Sequence, residues 1–536
     1  MTGRHGLTGT GALLHLAVRR DRVMVPAWVL VMTLVVTTSA ASIGSYYDTV
    51  ASRLELAASI DTNTSLRALY GPVHEASTIG GLTAWRMLTF GAALTGLMGL
   101  LLVVRHTRDE EETGRLELVG SGAVGRRAPL TAALLTAFGA SLAVALFLAL
   151  GLAVQGEEVA GSLALGLSFA AAGCLFATVG AVAAQLATTG REARGIASTV
   201  LGASFLLRAA GDAAGEKGPG WLVWLSPLGW VENLRPFADE RWWVLALTGA
   251  AAAALAGTAY ALVARRDLDA GMLPARPGPA RAGAGLSGPF GLARRLQRGT
   301  LAGWTAAYAV AGLVLGATAE GAADLVEENP KVADVVREMG GPQSLTDAFL
   351  AAMLGLLGMV AGAYAVQAVL RLHGEETGGR ADPVLAGAVG RLRWAAGHLV
   401  FAAFGTVVLM LVGGAAMGAG HGVVAGDITG RAVSTAGSAL VQLPAVWLVG
   451  GIALMLFGLW PRISAVGWGL LTAFVVIGLY GPVLHLDQWA MDLSPFTHLP
   501  KVPGEEVTAV PLAALTALGT VLGAAGLTGL RRRDLG

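Results

Sequence analysis

Runs of 18 or more predominantly apolar residues recur along this chain of 536 residues, and they constrain its fold more than any other feature. A helical run of that length matches the hydrocarbon thickness of a bilayer. Only 14% of the residues are charged, compared with about 25% in soluble proteins. Because helices satisfy their own backbone hydrogen bonds in lipid, the sequence predicts an all-α integral membrane protein.

The apolar runs predict about twelve transmembrane helices, with six in each half of the chain. In the first half they cover 23–43, 83–104, 129–154, 161–187, 196–210 and 242–263. In the second half they cover 301–319, 347–369, 397–418, 432–458, 463–481 and 509–530. The run at 196–210 is the weakest of the twelve, since it is short and ends at Arg208.

Basic residues predict the orientation of these helices. If the N-terminus is cytoplasmic, the inside segments hold more than twice as many Lys and Arg residues as the outside segments, as the positive-inside rule requires. Both termini are therefore predicted to be cytoplasmic. Residues 7–22 place apolar side chains on one side and arginines at the end, which predicts an interfacial helix. Residues 291–298 are its expected counterpart in the second half.

An acidic phrase occurs twice, once between the second and third predicted helices of each half. "RDEEETGRLELVGSGAVGR" covers Arg108–Arg126, and "HGEETGGRADPVLAGAVGR" covers His373–Arg391. The phrase "RRDL" also recurs, at 265–268 and 532–535, with nearly the same offset. These echoes predict two parallel six-helix repeats, at 1–266 and 298–536, joined by a Pro/Gly-rich cytoplasmic linker at 267–297.

The first acidic phrase predicts a short helix that ends near Gly114, with ion pairs Arg108–Glu112 and Glu111–Arg115. The second copy contains Gly379 and Pro383, so its helix is expected to be more interrupted. Two interpretations of the phrase stay open. It is either an ordinary solvated loop or a docking surface that is displayed twice for a two-fold partner.

A tryptophan-rich stretch precedes the last predicted helix of the first half. "WLVWLSPLGWVENL", residues 221–234, is too short to cross a bilayer and too apolar to be fully solvated. It is expected either to re-enter the membrane or to form part of an ordinary aromatic belt at the interface.

Several kinds of chemistry are missing from the sequence. None of the three lysines, Lys217, Lys331 and Lys501, follows a glycine, so the chain has no Walker A motif. The single Cys174 excludes an internal disulfide. A net charge of +1 gives no indication of nucleic-acid binding. These observations argue against an enzyme, and we expect no metal or cofactor bound by this chain.

The six helices per half and the doubled "EEETGR" and "EETGGR" phrases resemble permeases of ATP-binding-cassette exporters. The match extends over nearly the whole chain and is most similar to the duplicated polyketide-antibiotic, or tetronasin-type, subgroup. The resemblance implies a bacterial plasma-membrane exporter driven by a separate ATPase, in two copies per chain, which would hold the ATP and magnesium. The residues that would couple to that ATPase are Glu110, Glu111, Glu112, Thr113, Gly114 and Arg115 in the first half, and Glu375, Glu376, Thr377 and Gly378 in the second.

The resemblance also implies a path for a small hydrophobic or amphiphilic substrate, lined by the second and fifth helices of each half. The candidates are Phe90, Leu94, Met98, Met353, Met359 and Phe474. An ion-driven secondary transporter with six plus six helices is the alternative, although its loop after the second helix is usually shorter than the one here. A lipid-modifying membrane enzyme would need clustered His or acidic residues at one membrane face, and the sequence offers none.

Overall fold

The computed structural model describes residues 5–62, 64–120, 122–213, 220–267, 270–273, 280–281, 283–286, 288–319, 345–481 and 487–534. Within these ranges the chain is mostly helical and contains no β-strand. It divides into two compact units, residues 1–278 (unit 1) and residues 279–536 (unit 2). Lys217 and Lys331 lie outside the described residues.

Unit 1 contains thirteen described α-helices. They are α1 (Thr10–Arg20), α2 (Met24–Tyr46), α3 (Val50–Thr62), α4 (Thr64–Tyr70), α5 (Ile79–His106), α6 (Arg108–Glu112), α7 (Arg115–Gly120), α8 (Ala128–Val154), α9 (Val159–Leu186), α10 (Gly190–Ala213), α11 (Trp221–Leu225), α12 (Pro227–Glu232) and α13 (Trp243–Arg265). The predicted interfacial helix at 7–22 corresponds to α1, and the tryptophan-rich stretch forms the two short helices α11 and α12.

Unit 2 contains nine described α-helices. They are α14 (Pro289–Ala317), α15 (Leu345–Thr377), α16 (Asp382–Leu385), α17 (Arg391–Ala425), α18 (Ile428–Leu440), α19 (Leu443–Leu459), α20 (Val466–Tyr480), α21 (Gln488–Met491) and α22 (Ala509–Arg532). The predicted separate helix at 291–298 is wrong as a separate element, because α14 runs through it without a break. The predicted linker therefore gives way to helix at Pro289 rather than after 297.

Ten helical segments among the described residues are long and apolar enough to cross a membrane, which confirms the all-α membrane fold. They account for ten of the twelve predicted transmembrane helices, with α18 and α19 counted as one segment. The prediction at 196–210 falls on α10, which begins with the polar sequence "GREARG" and is not among the ten. The prediction at 463–481 falls on α20, which has 15 residues and is too short for the same class.

Corresponding helices pack against each other in the same pairs within each unit. In unit 1, α8 packs on α2, α5 and α9, and α9 packs on α13. In unit 2, α17 packs on α14, α15 and α18, and α19 packs on α22. The core of each unit is built from these helices, so the internal repeat seen in the sequence is also a repeat of packing.

Small residues allow the closest of these helix contacts. Helices α19 and α22 approach so closely that a Cβ atom added at Gly519 would lie 2.9 Å from the Cα atom of Leu448. Close backbone approach at glycine is a common source of helix–helix packing where burial of apolar surface alone gives little driving force.

Candidate functional site

The acidic phrase of unit 1 folds as the sequence predicts. Helix α5 continues through a single non-helical residue, Thr107, into the short helix α6, and Gly114 ends it with a φ of +69°. A positive φ raises the conformational free energy of glycine only slightly, but it raises that of residues with a Cβ atom more. The end of a unit that carries its acidic phrase is called its acidic end below.

Glu111 lies buried at the acidic end of unit 1, where it binds two arginines. Its carboxylate accepts hydrogen bonds from Arg108, and from Arg266 just beyond α13, with 2.9 Å from Arg266 Nη1 to Glu111 Oε2. The Nε atom of Arg266 donates to Gln185 at the end of α9, over 2.6 Å. Glu111 therefore connects α6 to the ends of α9 and α13.

The predicted ion pairs of this phrase are wrong in their partners. Arg108 pairs with Glu111, three residues on, rather than with Glu112, because Arg108 is directed into the unit and donates to the Ala187 carbonyl. Arg115 lies 3.7 Å from Glu110 instead of pairing with Glu111.

The other acidic residues of α6 also bind elements of their own unit. Glu110 pairs with Arg20 at the end of α1. Asp109 lies 2.7 Å from Arg194 on α10. Glu112 accepts a 3.0 Å hydrogen bond from the backbone N–H of Gly190, the first residue of α10. The phrase is thus an internal junction for four helices and not simply a solvated loop.

Unit 2 repeats the central interaction. Arg533, which follows α22, donates to both oxygens of Glu376, over 2.7 Å from Nη1 to Oε1 and 2.5 Å from Nη2 to Oε2. The Arg533 guanidinium also lies 4.9 Å from the centre of the Phe457 ring. The expected interruption of the second phrase is wrong within its acidic part, because α15 continues unbroken to Thr377 and Gly379 turns only after it.

A third arginine completes the arrangement in both units. Arg126 donates to the backbone carbonyl of Arg266, and Arg391 donates to that of Arg533, over 2.5 Å. We call each set of three residues a clasp: Glu111, Arg126 and Arg266 in unit 1, and Glu376, Arg391 and Arg533 in unit 2. All six belong to the repeated phrases, so within each unit the acidic phrase binds the "RRDL" phrase.

The predicted coupling residues fall into two groups according to their burial. Glu111, Glu375 and Glu376 are almost completely enclosed by their own units. Glu112, Thr113, Arg115, Thr377 and Gly378 are exposed, and Gly114 is half-buried between them. Their role in coupling stays a prediction, but only the second group presents a surface to a partner. Arg380, next to Gly379, is exposed as well.

The predicted path residues are in different environments. Phe90 and Leu94 are exposed on α5, and the Phe90 ring lies 5.5 Å from that of Tyr70. Met98 is buried in the core of unit 1. In unit 2, Met353 and Phe474 pack against the core, and Met359 lines a cavity. Whether these residues touch a substrate stays a prediction.

A buried charged cluster at the other end of unit 1 was not anticipated. Arg208 is fully buried, and its Nη1 atom lies 3.1 Å from Asp212 and 3.3 Å from Glu232. Its Nη2 atom donates to the carbonyls of Ala68 and Leu69. The only signal in the sequence was the position of an arginine at the end of a weak apolar run, which says nothing about distant partners.

Two carboxylates of this cluster face Arg208, and the positive charge of Arg67 also acts on Asp212. Burial, and the negative charge of Asp212 beside it, raise the pKa of Glu232 to about 8, although Arg208 acts in the opposite direction. A proton on Glu232 would leave Asp212 as the one ionised carboxylate beside Arg208, which removes the repulsion between two buried anions.

Among the described residues, each unit contains five helical segments that are long and apolar enough to cross a membrane. These segments pack in matching pairs and each unit is closed by a clasp, which together define a duplicated multi-pass membrane protein. The sequence family described as "Multidrug efflux system permease Rv1217c, C-terminal domain" matches residues 11–263 and 286–531. The chain is 46% identical over 531 residues to the multidrug efflux system permease protein Rv1217c of Mycobacterium tuberculosis (strain ATCC 25618 / H37Rv). The aligned residues make up 99% of this chain and 96% of that protein. The chain belongs to this family.

Proposed function

We propose that this protein is the membrane permease of a multidrug efflux system that exports hydrophobic or amphiphilic compounds. Membership of the efflux permease family supports the direction of transport and the kind of cargo. We further propose that a separate ATP-binding-cassette ATPase drives it by alternating access, with ATP and magnesium bound on that subunit. Assignment to the tetronasin-type subgroup stays a prediction.

The clasp is the observation that carries the coupling proposal. It ties the acidic phrase to the last long helix of each unit, through Arg266 in unit 1 and Arg533 in unit 2. A force that the ATPase applies to the exposed residues around Thr113 or Thr377 would therefore move several helices together, and it would not merely bend a loop. Two such surfaces in one chain suit an ATPase present in two copies.

The proposed location is the bacterial plasma membrane, with both termini and both acidic ends cytoplasmic. The distribution of Lys and Arg between the predicted loops supports this orientation. It places the exposed residues of both acidic phrases where a cytoplasmic ATPase can reach them.

The test is a mild detergent purification of the tagged chain from its native host, followed by quantitative mass spectrometry of the proteins that accompany it. We expect an ATP-binding-cassette ATPase at about two copies per chain. In a chain carrying Arg115→Glu, at an exposed position of the first acidic phrase, the amount of ATPase should fall strongly while the yield of permease stays the same. Arg431→Glu is the matched control, because Arg431 is exposed on α18 away from the acidic end.

The same preparation separates this proposal from the ion-driven alternative. If the chain purifies alone, and if drug efflux survives ATP depletion but stops with a protonophore, the protein is an ion-driven transporter and the coupling proposal is wrong.

A further inference from the structure

A cavity lies in unit 2, away from the acidic end of that unit. It has a volume of about 250 Å³ and lies among α15, the start of α19, α20 and the short helix α21. Its walls combine apolar groups, which include the two thioethers of Met359 and Met491 and the ring of Phe496, with polar groups in about equal measure. Small-molecule sites commonly combine such apolar walls with a few fixed polar groups.

A break in a membrane-crossing segment lies beside this cavity. The 32-residue segment Ile428–Leu459 is interrupted between α18 and α19, where Pro444 occupies the first turn of α19. Proline lacks an N–H group and its ring clashes with the carbonyl four residues earlier, so it cannot continue the helix. The corresponding helix of unit 1, α9, runs unbroken for 28 residues. The break is therefore a feature of unit 2 that the repeat does not require.

Gln442 lies at this break and lines the cavity. It is 6% exposed, and its side chain makes no hydrogen bond to any residue that the structure describes. It fits there because position 358 is glycine, since a Cβ atom at Gly358 would lie 2.7 Å from Gln442 Oε1. The amide faces the space of the cavity, where a ligand that accepts or donates a hydrogen bond would take the place of water as its partner.

The other polar groups narrow the choice of ligand. Gln488 donates to Asp492, and the hydroxyl of Thr497 donates to backbone carbonyls. Lys501 supplies the one formal charge among the described lining residues, and it is positive. The lining therefore disfavours a cation and offers N–H donors to an oxygen atom.

We propose that this cavity binds apolar compounds that carry a carbonyl oxygen, with Gln442 donating to that oxygen and the methionines contacting the apolar body. Met and aromatic side chains adapt to differently shaped apolar bodies. That such compounds are export cargo rests on the proposed function above. Binding itself does not, so the test below uses the permease without ATPase or ATP.

The probe is benzophenone, an apolar ketone that forms covalent adducts with methionine C–H groups when irradiated. The full chain in lipid nanodiscs is irradiated with benzophenone, and adducts are located by mass spectrometry. We expect adducts on Met359 and Met491, measured relative to Met24, which is exposed and reports non-specific labelling from the lipid. Excess 2-adamantanone should compete for these sites, whereas excess tetraphenylphosphonium, an apolar cation, should not.

Two variants and two controls make the test specific. Gly355→Leu should remove most of the labelling by filling the cavity, since a Cβ atom at Gly355 meets nothing within 4 Å and the fold is undisturbed. Gln442→Leu should reduce it about fivefold, the value of one hydrogen bond. Gly469→Leu on α20 and Gln367→Leu on α15 change the same residue types away from the cavity and should leave labelling unchanged.

Labelling of Met359 and Met491 no stronger than that of Met24 would overturn the proposal. So would full labelling in both Gly355→Leu and Gln442→Leu. A cavity that behaves as expected in a chain that recruits no ATPase would refute the proposed coupling but not the binding site.

Discussion

Arg533 and Glu376 form a two-pronged ion pair between the end of the last helix of unit 2 and the end of α15, and Arg266 and Glu111 form its counterpart in unit 1. The two pairs join segments that are 157 and 155 residues apart in sequence. Planar, two-pronged pairing is specific to arginine, since lysine offers only a point charge. This explains why both copies of the repeat retain Arg at the same place after the last helix.

The first prediction concerns the clasp of unit 1. Arg266→Leu leaves the carboxylate of Glu111 buried with one of its two arginines gone, and loss of one partner of a buried pair costs about 3–5 kcal/mol. Thermal unfolding of the purified permease should therefore begin at a clearly lower temperature. The double variant Glu111→Leu/Arg266→Leu should lose less stability than the sum of the two single variants, because the interaction between Glu111 and Arg266 is lost only once, although Arg108 is then left without a carboxylate.

The matched control is Arg431→Leu, which removes an exposed arginine and should change stability by no more than about 0.5 kcal/mol. A double variant that is less stable than Arg266→Leu by the full cost of a second lesion would show that the two residues act independently, contrary to the structure.

The second prediction concerns the turn at Gly114. Its φ of +69° is costly for any residue with a Cβ atom, although the space around it is open. Gly114→Ala should therefore destabilise the permease by about 1 kcal/mol through backbone strain alone. Gly139→Ala, in the middle of α8 and also in open space, should instead stabilise it by about 0.5–1 kcal/mol. If the two variants changed in stability by the same amount and in the same direction, the turn at Gly114 would accept a Cβ atom without backbone strain.

The sequence was sufficient to predict the class of fold and most of the long helices, because apolar length is a local property. The phrases around Glu111 and Glu376 were recognisable as important because they occur twice. Their partners were not, since the predicted pairs followed spacing along one helix, whereas Arg266 and Arg533 reach them from over 150 residues away. A repeat of "RRDL" at the matching offset was the available signal.

Other features could not be predicted for a related reason. Arg208 binds Asp212, Glu232 and two carbonyls of α4. These partners come from three elements that only the fold brings together, so the sequence does not reveal them. The cavity beside Gln442 depends on the break at Pro444 and on the absence of a side chain at Gly358. Each residue alone is ordinary, so only their arrangement in space indicates a site.

The third prediction tests the packing of α19 and α22. A larger side chain at Gly519 would meet the backbone of Leu448, which has little freedom to move. Gly519→Leu should therefore destabilise unit 2 by at least about 1–3 kcal/mol, the usual cost of overpacking. Gly469→Leu, which enters open space on α20, should have little effect. Comparable stability of the two variants in thermal unfolding would show that these helices can separate freely.

The fourth prediction concerns pH and Glu232. An unperturbed glutamate has a pKa of 4.5, whereas in the folded protein burial and the neighbouring Asp212 raise the pKa of Glu232 to about 8. The folded state therefore binds this proton more tightly than the unfolded state. The resulting stabilisation is complete below the lower pKa and is lost as pH rises through the higher one.

Glu232→Gln removes this titration while Asp212 remains to pair with Arg208. Between about pH 6 and about pH 9, the wild type should lose stability relative to Glu232→Gln, measured by thermal unfolding of both proteins in the same detergent. Parallel stability curves across this range would mean that Glu232 is ionised throughout, and that Arg208 and Arg67 together balance both carboxylates without a proton.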